Sequence, residues 1–201
     1  QNDLPPEERW AIKSAQGRPI YGVEKKIVGE EGTALAEDGK AFGELMVRGP
    51  WTASAYFNDT EATNQSFTQD GWFRTGDVAT LDQNGLMQIV DRKKDVIKSA
   101  GEWISSIDLE NAAMGHPAIQ ECAIIGMPHP KWDERPLLVV VAAEDKTPSL
   151  EEVNGFLAEK VAKWWLPDDM VILDELPHTA TGKVSKLSLR DQLKDYSFPE
   201  T

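Results

Sequence analysis

The spacing of apolar and polar positions changes once along the chain. Residues 19–28 alternate, which places Tyr21, Val23, Lys25 and Ile27 on one face of an expected strand. An acidic, glycine-containing loop over 29–40 follows, and then Gly43-Glu44-Leu45-Met46-Val47-Arg48-Gly49, a second strand bounded by glycines. Asp59 or Thr60 can cap a short helix that reaches Phe67. Val78-Ala79-Thr80-Leu81 and Leu86-Met87-Gln88-Ile89-Val90 flank Asp82-Gln83-Asn84-Gly85, and Asn-Gly is a strong hairpin signal. Everything to Val90 therefore reads as an antiparallel β subdomain, an irregular barrel. Further on the pattern becomes mixed. Ser105 and Asp108 open a helix over 105–114 that Gly115 and Pro117 stop. Strands are expected over 121–126, 137–143 and 170–173, with a polar loop at 129–136 between the first two. Ser149, with Glu152 in capping-box position, starts a helix whose stripe is Leu150, Val153, Phe156, Leu157, Val161 and Trp164. A last helix covers 186–193. The expected class is α+β, a β subdomain followed by a small α/β domain.

The change falls at Asp91-Arg92-Lys93-Lys94-Asp95, five consecutive charges that no core can bury unpaired. Val96-Ile97 then resumes β-branched character, and Ser99-Ala100-Gly101 makes a small-residue turn that other groups can approach closely. The expected division is 1–90 for the β subdomain, 91–95 for a hinge and 96–201 for a mobile C-terminal domain.

Composition narrows the class further. A chain of 201 residues, 40% hydrophobic and 27% charged, has room for one or two domains with a core. Its net charge of -13 argues against a nucleic-acid binder, which would show a basic face. Cys122, in the apolar run Cys122-Ala123-Ile124-Ile125, has no partner for a disulfide and reads as a buried inert thiol. A reducing cytoplasm is the expected location. No apolar stretch approaches the roughly 20 residues of a membrane span, and the lead-in Gln1-Asn2-Asp3-Leu4-Pro5-Pro6-Glu7-Glu8 is polar. His116, His129 and His178 are scattered without metal-ligand spacing, so no protein metal site is expected.

Three ordered motifs change the reading: Trp72-Phe73-Arg74-Thr75-Gly76-Asp77, the charged run with its following turn, and Thr179-Ala180-Thr181-Gly182-Lys183-Val184. Together, across residues 17–193, they resemble the closing motifs of the acyl-adenylate-forming superfamily, the acyl-CoA synthetases and their relatives. Gly43-Glu44-Leu45 through Tyr56 resembles a further motif, with Glu44, Gly49 and Tyr56 as fold residues. The resemblance implies a two-step reaction. A carboxylate attacks the α-phosphorus of ATP to give an acyl-adenylate and pyrophosphate, and the thiol of coenzyme A then displaces AMP. It implies that Asp77 holds the ribose, that Arg92 and Lys98 lie at the nucleotide, and that Lys94 is the hinge. Ser99, Ala100, Gly101, Glu102 and Trp103 would line the pantetheine tunnel, and Lys183 would be the adenylation lysine. Two departures are visible: Ala100 stands where many relatives have glycine, and so does Asp133.

ATP or AMP, coenzyme A and Mg2+ are the implied cofactors, the last held mainly by an upstream portion. That portion would bring the phosphate loop and acyl pocket, which this chain lacks, so the chain is expected to be the C-terminal part of a longer enzyme. Its expected partners are that portion, a small carboxylic acid and, in a homodimer, a second copy. The run Gly101-Glu102-Trp103-Ile104-Ser105-Ser106-Ile107-Asp108-Leu109-Glu110 resembles in flavour the medium-chain fatty-acyl and 3-methylmercaptopropionyl-CoA ligases. The alternatives are a carrier-protein-loading adenylation domain and a non-catalytic module derived from the family.

Overall fold

A computed structural model describes residues 4–199. The chain divides into two compact units between Lys94 and Asp95.

The first unit is an antiparallel meander of β1 (Glu24–Val28), β2 (Gly43–Arg48), β3 (Phe73–Leu81) and β4 (Met87–Arg92), in that spatial order. Successive side chains point to opposite faces. Ile27, Leu45, Ala79 and Leu81 accordingly form one apolar cluster, and Val28, Met46 and Trp72 form another. Lys26 and Arg48 lie over the Trp72 ring, 4.3 and 4.5 Å from its centroid. Among the described residues the sheet stays open, so the expected barrel closure is not formed. The expected strand over 19–28 shrinks to its last five residues. Gly22 has φ +83°, which turns the chain, and Tyr21 is solvent-exposed.

Helix α1 (Pro6–Ser14) occupies the stretch read as a polar lead-in. Proline at its start needs no amide partner there, and Glu7 and Glu8 suit the positive end of the helix dipole. Helix α2 (Thr60–Ser66) has Asp59 as its N-cap, the carboxylate accepting from the Ala62 amide at 2.8 Å.

The second unit has three layers. Its sheet runs β6 (Glu102–Ile104), β5 (Ile97–Ser99), β8 (Asp133–Ala142), β7 (Ile119–His129), and β9 (Asp169–Ile172) joins β8 in parallel. The central run Leu137-Leu138-Val139-Val140 is fully buried, as a strand covered on both faces must be. Leu138 and Val140 pack with α3 (Ser106–Ala113) and α4 (Leu150–Leu157), through Leu109, Ala113, Val153 and Leu157. Leu137 and Val139 pack on the other face with Leu189 of α5 (Lys186–Gln192).

The expected polar loop at 129–136 is mostly strand, because β7 and β8 stay paired to His129↔Asp133. The expected stripe of α4 also ends early. After Leu157 the chain leaves the helix, and Trp164 lies on a single 3-10 turn, Lys163–Trp165.

Candidate adenylate and thioester sites

In the first unit, Thr75-Gly76-Asp77 lies in the first half of β3. The Thr75 hydroxyl donates to the Leu45 carbonyl at 2.9 Å and accepts from the Asp77 amide at 3.1 Å. The motif is thereby pinned to β2. Gly76 has φ +73°, a left-handed conformation that favours glycine, and its carbonyl accepts from the Lys93 amide at 2.9 Å. The register places Asp77 opposite Arg92, and Arg92 Nη1 lies 3.1 Å from Asp77 Oδ1. The Asp77 carboxylate is largely covered whereas the Arg92 guanidinium is exposed. A carboxylate acceptor and a planar donor fork are thus adjacent, suited to vicinal hydroxyls and a phosphate.

Behind them lies a cluster that sequence reading did not resolve. Glu44, 5% exposed, accepts through Oε2 from Arg74 Nη1 at 3.1 Å and Lys93 Nζ at 2.8 Å. A buried carboxylate needs such partners; here they tie β2, β3 and the end of β4 together. Gly49 is fixed by crowding: a Cβ there would lie 2.3 Å from the Gly22 carbonyl oxygen. Tyr56 is half exposed, in an isolated bridge to Asp59.

In the charged run, Asp91 and Asp95 are buried while Arg92, Lys93 and Lys94 are exposed. Asp91 accepts from the Arg92 amide at 2.7 Å, and Asp95 accepts from Arg190 Nη1 at 2.9 Å. Arg92 and Lys93 reach Asp77 and Glu44, so of the run it is Lys94 that is left to solvent.

In the second unit, Ser99-Ala100-Gly101-Glu102 is the turn from β5 to β6, with Ala100 at φ +52° and Gly101 at +82°. The Ala100 amide donates to the Trp132 carbonyl at 2.9 Å, and Ser99 pairs with Asp133 of β8. Asp133 itself has φ +72°. Both departures from the family's glycines thus occupy left-handed positions, where glycine is free of the Cβ penalty. Lys98 is half-buried, its amide donating to Glu134 Oε2 at 3.0 Å. Glu102 is exposed and Trp103 partly so.

Lys183 ends a tight loop closed from both sides. The Thr179 amide donates to the Lys183 carbonyl at 2.7 Å, and the Lys183 amide to Thr179 Oγ1 at 3.2 Å. Gly182 has φ +79°, and His178 bridges Val184 at the loop's base. The Lys183 side chain is exposed, with no ion pair among the described residues. His178 Nε2 lies 2.7 Å from Glu121 Oε1, which fastens the loop to β7.

The register of the β7–β8 hairpin then separates the two loops. Glu121 is opposite Val141, whereas the 99–101 turn is opposite Asp133. Eight steps along β8 separate these rungs, roughly 25 Å at about 3.3 Å per residue. Lys183 and the small-residue turn sit toward opposite ends of one sheet.

Cys122 is free and buried, and burial, then the nearby Glu110 carboxylate, pushes its thiol up to about 12. It is no nucleophile at neutral pH. Glu110 instead binds Lys186 Nζ at 2.8 Å and the Ile124 amide at 2.7 Å.

The chain is similar in sequence and fold to known proteins. Residues 108–183 fit the family model of the AMP-binding enzyme C-terminal domain, so the chain contains a domain of that family. Its homologues are acyl-CoA ligases. It is 55% identical over 192 residues to 3-methylmercaptopropionyl-CoA ligase of Ruegeria lacuscaerulensis, covering 96% of this chain and 35% of the ligase. It is 50% identical over 194 residues to a long-chain-fatty-acid–CoA ligase of Thermus thermophilus, covering 96% and 36%. Among solved structures, o-succinylbenzoate CoA synthetase from Bacillus subtilis, in complex with its acyl-adenylate intermediate, superposes with a TM-score of 0.78. The identity there is 34%, over 98% of this chain and 39% of that one. The chain thus spans about 35% of the length of the curated relatives it matches.

Proposed function

We propose that this chain is the C-terminal portion of an ATP-dependent carboxylic acid–CoA ligase acting on a fatty or methylthio-alkanoic acid. The observation that supports it most is the separation of the two loops. Lys183 serves charge neutralisation at the carboxylate and α-phosphate, and the 99–101 turn serves passage of a pantetheine thiol. With roughly 25 Å of strand between them, they serve one reaction centre in turn, so the second unit presents one and then the other. Asp77 accepts from the ribose hydroxyls, with Arg92 beside it donating to ribose or phosphate, and Lys98, next to the 99–101 turn, comes near the nucleotide when that turn is presented. The likeness to 3-methylmercaptopropionyl-CoA and fatty-acid–CoA ligases favours those acids.

The described residues include no group of three or more His, Cys, Asp or Glu suited to a metal ion. Mg2+ accordingly enters with the ATP phosphates and the upstream portion, and no step assigned to these residues runs through it. No described helix is long and apolar enough to cross a membrane. The partners are the upstream portion, the acid and coenzyme A, with a homodimer as the proposed assembly and the cytoplasm as the proposed location.

The test uses a polypeptide of the relatives' length that carries this chain. It should release pyrophosphate on receiving ATP with 3-methylthiopropionate or a medium-chain acid, and then convert coenzyme A to the thioester. Residues 1–201 alone should release none. Turnover by the isolated chain, or transfer to a carrier protein in preference to coenzyme A, would overturn the proposal.

A further inference from the structure

Arg135 of the second unit uses every donor it has, and none of the three motifs contains it. Its Nε and Nη2 grip Asp168 at 2.8 and 2.7 Å as a two-pronged pair. Nη2 also donates to the Leu166 carbonyl at 3.1 Å, and Nη1 to the Trp164 carbonyl at 2.9 Å. The remaining Nη1 proton goes to Ser99 Oγ at 3.1 Å. A guanidinium has five N–H donors, and all are used. With its side chain 12% exposed, Arg135 is a largely buried junction rather than a surface ion pair.

The junction joins a strained turn to the segment that leads into β9. Ser99, 4% exposed, opens the turn in which Ala100 is held at φ +52°. A non-glycine residue persists in that conformation only where its surroundings over-determine it. The other fixed contacts of the turn are the Ala100 amide on the Trp132 carbonyl and the rung from Ser99 to Asp133. Arg135 stands two residues along the same strand and ties Ser99 to the 164–168 segment.

We propose that Arg135 is a positioning residue for the thioester-forming step. It locks the 99–101 turn in the shape that admits the pantetheine arm, and has no part in adenylation. This rests on the functional reading above. The Lys183 loop, fastened to β7 through Glu121, lies toward the far end of the hairpin, so loss of Arg135 leaves it in place.

Arg135→Lys keeps the charge opposite Asp168, but a single ammonium cannot span four acceptor residues on two segments. In the complete enzyme it should raise the half-saturating coenzyme A concentration in the thioester step by about tenfold, since small misplacements at a reacting site are costly. Pyrophosphate release from ATP and acid should stay within about twofold of the parent. Hydrogen exchange at the Ala100 amide should quicken while exchange in the β7–β8 centre does not. Asp168→Asn loosens the same junction from its other side, and should give a smaller change of the same kind. Equal losses in both half-reactions, or no change in the thioester step in either variant, would overturn the positioning role. An unsubstituted enzyme that lacks both half-reactions would overturn the functional reading, and this proposal with it, before any variant is made.

Discussion

A lysine that neutralises a transferring phosphate must be free to approach it, and the backbone around Lys183 is fixed while its side chain is not. Thr179 holds the loop by amide, carbonyl and hydroxyl, so Lys183→Ala should leave the fold intact. Loss of one charged donor at developing charge costs about 10²–10³ in rate, roughly 3–4 kcal/mol. The variant should lose at least that in pyrophosphate release, yet turn preformed acyl-adenylate and coenzyme A into thioester near the normal rate. An equal fall in both rates, measured on one protein, would make Lys183 a structural residue. The two departures from glycine make a second residue-scale prediction. Ala100 has no polar side chain to ease a left-handed backbone, whereas aspartate tolerates one by bonding locally. Ala100→Gly should therefore stabilise the second unit by about 1 kcal/mol in denaturant unfolding, and Asp133→Gly by less. The family resemblance marked both positions as departures, but only the backbone angles gave the reason.

Elements were legible where a local signal and a buried stripe agreed. Ser105, Asp59 and Ser149 were all readable as caps, and each side chain accepts from an amide in the first turn of its helix. Helix α1 escaped because its signals, a proline start and two acidic residues, have no clear apolar stripe behind them. The start of β8 escaped for the opposite reason. Asp133, Glu134 and Arg135 look like a loop in composition, yet Glu134 and Arg135 are drawn into strand by partners on β5 and the 164–168 segment that no local pattern displays. Helix α4 provides the test at this scale. The Ser149 amide and hydroxyl lie 3.0 and 2.9 Å from Glu152 Oε2, while Ser149 Oγ accepts from the Glu152 amide. These contacts, the backbone amide first, hold the Glu152 carboxyl below its ordinary value of 4.5. A lowered folded value means that the cap's contribution is present above about pH 4.5 and is lost as pH falls through the folded value. Ser149→Ala should cost about 1 kcal/mol at neutral pH, and less in acid. An undiminished cost in acid would show that Glu152 adds nothing.

Across the whole molecule, the functional proposal requires the second unit to change its presentation between half-reactions, and the anchors on either side of Lys94 favour that residue as the proposed turning point. Lys93 is fastened to the first unit, its amide on the Gly76 carbonyl at 2.9 Å and its ammonium on Glu44 at 2.8 Å. Asp95 is fastened to the second through Arg190 at 2.9 Å. Lys94 lies between these anchors, exposed and without a side-chain partner among the described residues. A φ/ψ change at Lys94 would therefore break neither anchor, whereas one at Lys93 or Asp95 would disturb a charge pair with a buried carboxylate. The run of five consecutive charges at 91–95 was plain in the sequence. What it could not show is that Asp91 and Asp95 are buried and that the free residue is the one between two anchors. Proline at Lys94 would fix φ near -65° and remove the amide donor. In the complete enzyme, Lys94→Pro should hold the joint in one setting, so that one half-reaction persists near the parent rate and the other falls by about 10²-fold or more, as loss of alignment at a reacting centre does. Single-turnover pyrophosphate release and thioester formation from preformed acyl-adenylate measure the two separately. If both fell together in a variant that unfolds at the parent denaturant concentration, Lys94 would not be the hinge, and the exchange of loops would have to occur through some other segment of the chain.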